Sequence, residues 1–193
     1  MTRIGILSDT HGYWDDRYLK YFENCDEIWH AGDIGSWEVV EKLAAFRPLR
    51  AVRGNIDGGE IRQTYPEMDR FTIESVDVLI KHIGGYPGKY DPSIRQHLFV
   101  HPPQLFVCGH SHILKVVRDT KRNMLVLNPG AAGIQLNHFR RIVGIHHRVG
   151  FSAAQHKLFI HINAFHNRNA RQRDLGQCMC TGFRNCDLGR KTL

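Results

Sequence analysis

The first 55 residues repeat one pattern, in which a short apolar run ends in polar residues and is followed by an amphipathic stretch. The runs "RIGILSD" and "DEIWHAGD" are typical of β-strands. The stretches "DDRYLKYFENC" and "SWEVVEKLAAF" carry apolar residues at helical spacing, and Ser36 is placed to cap the second helix. "PLRAVRGN" predicts a third strand. Strands that alternate with helices of about ten residues favour a largely parallel sheet with both faces covered.

The second half of the chain changes to a hairpin pattern. "RFTIESVDVLIKH" predicts two strands joined by a tight turn near Ser75, and "LKVVRDTKRNMLVLNPG" predicts a second hairpin. Between them, Asp91 and Pro92 are typical of a helix start. We therefore predict an α/β fold of two packed mixed β-sheets flanked by helices.

The basic charge of the chain is confined to its C-terminal part. Residues 134–193 contain 10 Lys and Arg against 2 Asp and Glu, whereas the first 133 residues contain 16 against 17. This predicts a folded core at residues 1–133 and an atypical basic segment at 134–193, whose first part completes the sheet and whose end is disordered. The abrupt change also suggests the hypothesis that the segment departs from the ancestral reading frame. Nucleic-acid binding through this tail is an alternative role, and it would weaken steeply with salt.

Hydropathy and cysteine usage bear on the location of the protein. The longest apolar runs have the length of strands, and the N-terminus lacks the charged region and apolar core of a signal peptide. The five cysteines form an odd set, and Cys25 and Cys108 lie beside strand-like segments, which favours reduced thiols. We expect a cytoplasmic protein without a membrane span, either monomeric or a homo-oligomer.

Five apolar runs end in side chains that can bind a metal ion. In open α/β sheets, sites form beyond the carboxyl ends of the strands, so these side chains are expected to converge on one edge. Two of the runs end in an i, i+2 pair, which points to one side of an extended backbone and can chelate. The set suits two divalent ions that share an aspartate. The residues are Asp9, His11, Asp33, Asn55, His82, His110 and His112.

In this order, the motifs "SDTHG", "AGD", "RGN", "IKH" and "CGHSH" resemble the metallophosphoesterase (calcineurin-like) superfamily over residues 2–133, and "NPGAAG" is similar to a turn of its small phosphodiesterase-like branch. The resemblance implies an αββα sandwich and a phosphoester substrate. It implies a hydroxide that bridges two metals and attacks phosphorus, with Mn preferred and Zn, Ni, Fe or Co as alternatives. One metal would be held by Asp9, His11, Asp33 and His112, and the other by Asp33, Asn55, His82 and His110.

The sequence departs from the family pattern at two places. Many members continue "GN" with a histidine, whereas this chain has Ile56, which leaves Asn55 and Asp57 as the candidate catalytic residues. Without that histidine, diesters with good leaving groups are the favoured substrates. The second departure is "KHIGGYPG" in place of His-Gly-His, and we predict that this glycine-rich loop shapes the mouth of the substrate site.

Simpler roles remain for several of these residues. Asn55 lies in an Arg-Gly-Asn sequence that is also a common turn, Asp57 is equally suited to forming a turn, and His30 fits a supporting role better than ligation. A non-catalytic protein-binding scaffold of the same fold, similar to a retromer subunit, is the alternative function. Because all seven ligand positions are filled, the sequence favours catalysis.

Overall fold

The computed structural model describes residues 2–133 in full and residues 143–153 and 156–166 as backbone strands. The predictions made for residues 134–142, 154–155 and 167–193, including tail disorder and nucleic-acid binding, lie outside the described residues. The elements, in chain order, are β1 (Arg3–Leu7), α1 (Arg17–Phe22), β2 (Glu27–His30), α2 (Trp37–Phe46), β3 (Leu49–Ala51), α3 (Gly59–Thr64), β4 (Met68–Ile73), β5 (Val76–Lys81), β6 (Gly85–Tyr86), β7 (Lys89–Tyr90), α4 (Pro92–Val100), β8 (Leu105–Val107), β9 (Leu114–Asp119), β10 (Met124–Pro129), β11 (Val143–Ala153) and β12 (His156–His166).

The first sheet has the strand order β11-β12-β1-β2-β3. Strands β12, β1, β2 and β3 run parallel, and β11 is antiparallel to β12. Helix α2 buries Val39, Val40 and Leu43 because these positions share one face of a 3.6-residue period. The parallel strands place the carboxyl ends of β1, β2 and β3 on one edge of the sheet.

The second sheet has the strand order β4-β5-β8-β10-β9. Its three central strands, β5, β8 and β10, are parallel, and both edge strands are antiparallel to their neighbours. The predicted turn between β4 and β5 has both central residues, Glu74 and Ser75, in the left-handed region with φ of 47° and 64°, as tight hairpins require. The sheet therefore places the carboxyl ends of β5 and β8 together.

The two sheets pack face to face between two layers of helices. Alternate residues of β1 and β5, such as Ile4, Ile6, Val78 and Ile80, point into a shared apolar core. The outer face of the first sheet packs against α1, α2 and α3, and that of the second sheet packs against α4. The arrangement confirms the prediction of two packed mixed sheets flanked by helices.

Three local features differ from the sequence prediction. Ser36 occupies the N-cap position of α2, but its hydroxyl makes no capping hydrogen bond. Helix α3 and the β6–β7 hairpin were not predicted, because the first begins at a glycine and the second has two-residue strands.

Within the part of the chain that the structure describes, no helix combines the length and apolarity needed to cross a membrane.

The core between the sheets predicts a large difference between two isoleucines. Ile80 is fully buried there, whereas Ile113 is 55% exposed. We expect Ile80→Ala to lower the free energy of unfolding by about 2–5 kcal/mol, because it leaves a cavity in a packed core. Ile113→Ala should change it by less than about 0.5 kcal/mol. Urea titration followed by circular dichroism measures both, and equal effects would contradict the assigned packing.

Candidate metal centre

The loops that follow β1 and β2 are joined by backbone hydrogen bonds. The N–H groups of Asp9 and His11 donate to the carbonyls of Gly32 and Asp33, each at 3.0 Å. The N–H of Gly109, after β8, donates to the carbonyl of His82, after β5, at 2.9 Å. Each sheet therefore brings a pair of its strand ends together, and the face-to-face packing brings the two pairs to one place.

Three predicted ligands from the two sheets form a first cluster. Asp9, His11 and His112 each offer one ligand atom, and these atoms lie within 4.8 Å of one another. Asp9 Oδ1 is 3.1 Å from His112 Nε2, and His11 Nε2 is 3.2 Å from the same His112 nitrogen. His11 and His112 are separated by 101 positions, so only the tertiary structure brings them together.

Asp33, His82 and His110 form a second cluster with ligand atoms within 4.8 Å of one another. Asp33 Oδ2 lies 3.2 Å from His82 Nε2 and 3.9 Å from His11 Nε2 of the first cluster. Asp9 Oδ1 is likewise 3.9 Å from His82 Nε2. The two clusters are therefore adjacent, and Asp33 faces a histidine of each.

Asn55 and Asp57 lie on the loop after β3, next to Asp33. Asn55 is exposed, and the N–H of its neighbour Ile56 donates to Asp33 Oδ1 at 3.1 Å. Asp57 is buried, and its carboxylate accepts hydrogen bonds from the N–H groups of Ile34, Gly35 and Gly54 at 3.2, 2.8 and 2.7 Å. Those contacts join the β2 and β3 loops, so Asp57 acts on the position of the loops.

The tautomer of His82 leaves one nitrogen available for a metal ion. Its Nδ1 is 2.8 Å from the carbonyl of Ala31, which can only accept, so Nδ1 carries the proton. Its Nε2 is buried and has no hydrogen-bond partner among the described residues, and Asp33 Oδ2 lies 3.2 Å from it. A buried nitrogen lone pair beside two carboxylates fits a divalent cation. The residues present therefore fit the metal chemistry that the sequence suggested.

The backbone at the ligands is strained. Eight described non-glycine residues have positive φ, and five of them are Asp9, His11, Asp33, His110 and His112, at 49° to 66°. The other three lie in hairpin turns. Such positions cost roughly 1–3 kcal/mol each and persist where the surrounding structure imposes them. Strain outside the turns is thus concentrated at predicted ligands.

Two glycines allow the buried carboxylates to sit where they do. A Cβ at Gly109 would overlap Ser8 Oγ and crowd Asp9 Oδ2, and a Cβ at Gly54 would overlap Asp33 Oδ1. The N–H of His110 donates to both oxygens of Asp9 at 3.2 Å. The "GN" and "GH" motifs therefore have a steric basis as well as a ligand.

The charged groups of the centre perturb one another. Burial would raise the pKa of Asp33, but the facing His82 imidazole and the Ile56 N–H together lower it. Burial would lower the pKa of His82, but Asp33 and Asp9 raise it, and Asp9 also raises the pKa of His112. Protons and metal ions therefore compete for the same nitrogens, and acid weakens metal binding.

Two groups support the ligand loops from behind. The hydroxyl of Thr10 donates to the carbonyl of Ile34 at 2.9 Å and lies 2.9 Å from His30 Nε2, while His30 Nδ1 accepts from the Gly32 N–H at 3.2 Å. On the other side, Asn128 donates to the carbonyl of Gly109 at 2.6 Å. The "NPG" motif pointed to Asn128, whereas no sequence signal singled out Thr10.

The chain folds as an αββα sandwich. Its candidate metal ligands cluster at the edge where strands of both sheets have their carboxyl ends. The chain belongs to the calcineurin-like phosphoesterase superfamily, whose domain model matches residues 2–149. It is similar to a probable metallophosphoesterase of Mycoplasma pneumoniae, with 32% identity over 146 residues that cover 71% of this chain and 83% of the relative. Family membership supports a metal-dependent phosphoester hydrolase.

Two solved structures show the same fold at low sequence identity. One is described as a novel archaeal phosphodiesterase, with a TM-score of 0.54, 20% identity and coverage of 81% of this chain and 98% of that chain. The other is zinc-complexed Vps29 from Entamoeba histolytica, with a TM-score of 0.56, 15% identity and coverage of 75% and 83%. The fold is therefore common to a phosphodiesterase and to Vps29.

The contact of Gly109 with Asp9 predicts a selective loss of metal binding. Gly109→Ala should displace the Asp9 carboxylate and weaken Mn binding roughly tenfold or more, because metal sites tolerate little displacement of a ligand. Gly58→Ala is the matched control, since a Cβ there has no neighbour within 4 Å. Isothermal titration calorimetry compares the two variants, and equal Mn affinity would contradict the assigned role of Asp9.

The burial of His30 predicts acid sensitivity. Burial lowers its pKa from 6.5 to about 4, so the folded state holds it neutral while the unfolded chain protonates it below pH 6.5. The resulting loss of stability, about 3 kcal/mol at most, should develop as the pH falls from 6.5 to 4. His30→Gln should flatten this part of the pH profile of urea unfolding, and His101→Gln, at an exposed residue, should not.

Proposed function

We propose that the protein is a phosphodiesterase that uses two divalent metal ions, with Mn preferred. The observation that carries the proposal is the adjacency of two three-residue clusters, Asp9-His11-His112 and Asp33-His82-His110, with Asp33 facing both. Two metal ions held roughly 3.5–4 Å apart can share a carboxylate that lies between two sets of ligands. When bound, the two ions supply an activated water for attack on phosphorus and offset the negative charge of the phosphate.

The residues of the chain hold and orient the reacting groups. We propose that Asp9, His11, Asp33 and His112 bind one ion and that Asp33, Asn55, His82 and His110 bind the other. Asn55 joins the set because the N–H of the next residue contacts Asp33 and because its side chain is exposed on the same loop. The Nδ1 proton of His82 on the Ala31 carbonyl fixes the ring with Nε2 toward the site.

A diester is the substrate class that the site supports best. Ile56, 47% exposed, follows Asn55 and has no proton to give to a leaving group. A poor leaving group would need such a proton, whereas a diester with an acidic alcohol would not. The similarity to an archaeal phosphodiesterase agrees with this choice at the level of the fold.

Asp57 is proposed as a positioning residue rather than a catalytic one. Its two oxygens are engaged by three backbone N–H groups of the β2 and β3 loops. These loops carry Asp33 and Asn55, so Asp57 sets their separation. A cytoplasmic location is part of the proposal, supported by the free, buried thiols of Cys25 and Cys108.

The second candidate is a protein-binding role like that of a scaffold. Exposed Ile56 and Ile113 each lie next to a proposed ligand, and the fold is shared with Vps29. Because that Vps29 was solved with zinc, metal content alone does not separate the two functions. Hydrolysis of a phosphoester does separate the two functions, because a scaffold without catalytic activity would not hydrolyse it.

The test is hydrolysis of bis-p-nitrophenyl phosphate with added Mn by matched variants. Asp33→Asn should lower kcat/KM roughly a hundredfold, because the carboxylate proposed to serve both ions is lost. Asp77→Asn, which breaks an exposed ion pair with Arg70 on the second sheet, should leave it unchanged. Metal binding without hydrolysis of this diester or of p-nitrophenyl phosphate would favour the protein-binding role.

A further inference from the structure

A cavity of about 260 Å³ opens beside the second cluster. His110 and Gly109 line one side of it, and the glycine-rich loop through Gly84 and Gly85 lines another. The volume is below the roughly 300–1,000 Å³ of pockets that hold a whole drug-sized ligand. The cavity therefore has room for one ester group of a substrate whose phosphorus lies at the metal centre.

Two lysines and one aromatic ring, all exposed, line this cavity. Lys115 Nζ lies 3.7 Å from the ring centre of Tyr86. Lys89 is paired with Tyr86 across the β6–β7 hairpin, which places the two side chains on one face. Among the described residues, the lysines that form ion pairs are Lys42 and Lys81, and neither Lys89 nor Lys115 takes part in one. Two positive charges thus face the cavity without an acidic partner.

Asp91 is the one acid among the described residues that line the cavity. Asp91 Oδ1 accepts hydrogen bonds from the N–H and the hydroxyl of Ser93 at 2.9 and 2.6 Å, and these lower its pKa. It caps the N-terminus of α4, where the helix dipole favours its charge. The lysines and the aspartate of the lining thus carry two positive charges and one negative charge, which leaves a net charge of +1.

Part of the cavity lining is apolar. Val126 and Ile83 line it. Cys108, which is buried, lines it as well. A lining that combines apolar side chains with two exposed lysines is complementary to a carbon skeleton that carries a dianion.

We propose that this cavity binds one ester group of the substrate and that this group carries a second phosphate, held by Lys89 and Lys115. This inference rests on the proposed phosphodiesterase function. A phosphate dianion matches two ammonium groups in charge, whereas a neutral alcohol would leave both unmatched. The substrate class is then a phosphodiester of a phosphorylated alcohol.

Two pairs of compounds test the proposal at low ionic strength. The first pair is the p-nitrophenyl ester of thymidine 5′-phosphate with and without a 3′-phosphate, assayed for hydrolysis with Mn. The second pair is thymidine 3′,5′-bisphosphate and thymidine 5′-phosphate, measured for binding by calorimetry. In the wild-type protein, the additional phosphate should lower KM and Kd about fivefold or more. Lys115→Gln and Lys89→Gln should each remove most of that preference. Neither substitution should change the KM or Kd of the compounds that lack the additional phosphate.

Lys20→Gln is the control for net charge, because Lys20 lies on α1, which packs against the first sheet. This variant should still prefer the compounds that carry the additional phosphate. Equal Kd values of the two nucleotides for the wild-type protein, or a preference unchanged in both lysine variants, would overturn the assignment of the cavity even if hydrolysis occurs. A preference for the bisphosphate that is lost in the lysine variants, without hydrolysis of either ester, would support the cavity assignment and count against the phosphodiesterase function.

Discussion

The electrostatic constraint on this molecule is the burial of two carboxylates that have no permanently charged partner among the described residues. Asp9 is fully buried and Asp33 is 2% exposed. Within the described residues, the ion pairs of both involve histidines and no lysine or arginine. Two adjacent buried anions are unfavourable unless cations balance them. The two carboxylates raise the pKa values of His82 and His112, which is the direction in which a positive charge at these rings is favoured, and divalent ions would supply such charge directly.

Several kinds of interaction outside the ligand set hold this unfavourable arrangement in place. Apolar packing between the sheets fixes the strand ends, and backbone hydrogen bonds between neighbouring loops fix the turns that follow them. Asp57 and Asn128 add side-chain contacts to two of those loops. Because the support comes from outside the ligand set, the ligands can hold positive φ values that the local sequence would not choose.

The departures from the family pattern have a consistent structural meaning. Ile56 gives the site an apolar, proton-free neighbour where many members place a histidine. The glycine-rich loop after His82 does not extend the ligand set; it folds into a short hairpin that presents Tyr86 and Lys89 to a cavity beside His110. The motifs shared with the family carry the candidate metal ligands. The divergent segments, Ile56 and the loop after His82, form the surroundings of those ligands.

The sequence by itself determined the alternating strands and helices, the two hairpins and the seven candidate ligands, because hydrophobic periodicity and turn residues are local signals. It also indicated that polar groups would collect at strand ends. Only the tertiary structure decided that Asp57 joins two loops and that Lys89 and Lys115 both lie by Tyr86 at one cavity. These relations join residues far apart in the chain, and they depend on the packing and register of two sheets, which no local pattern specifies.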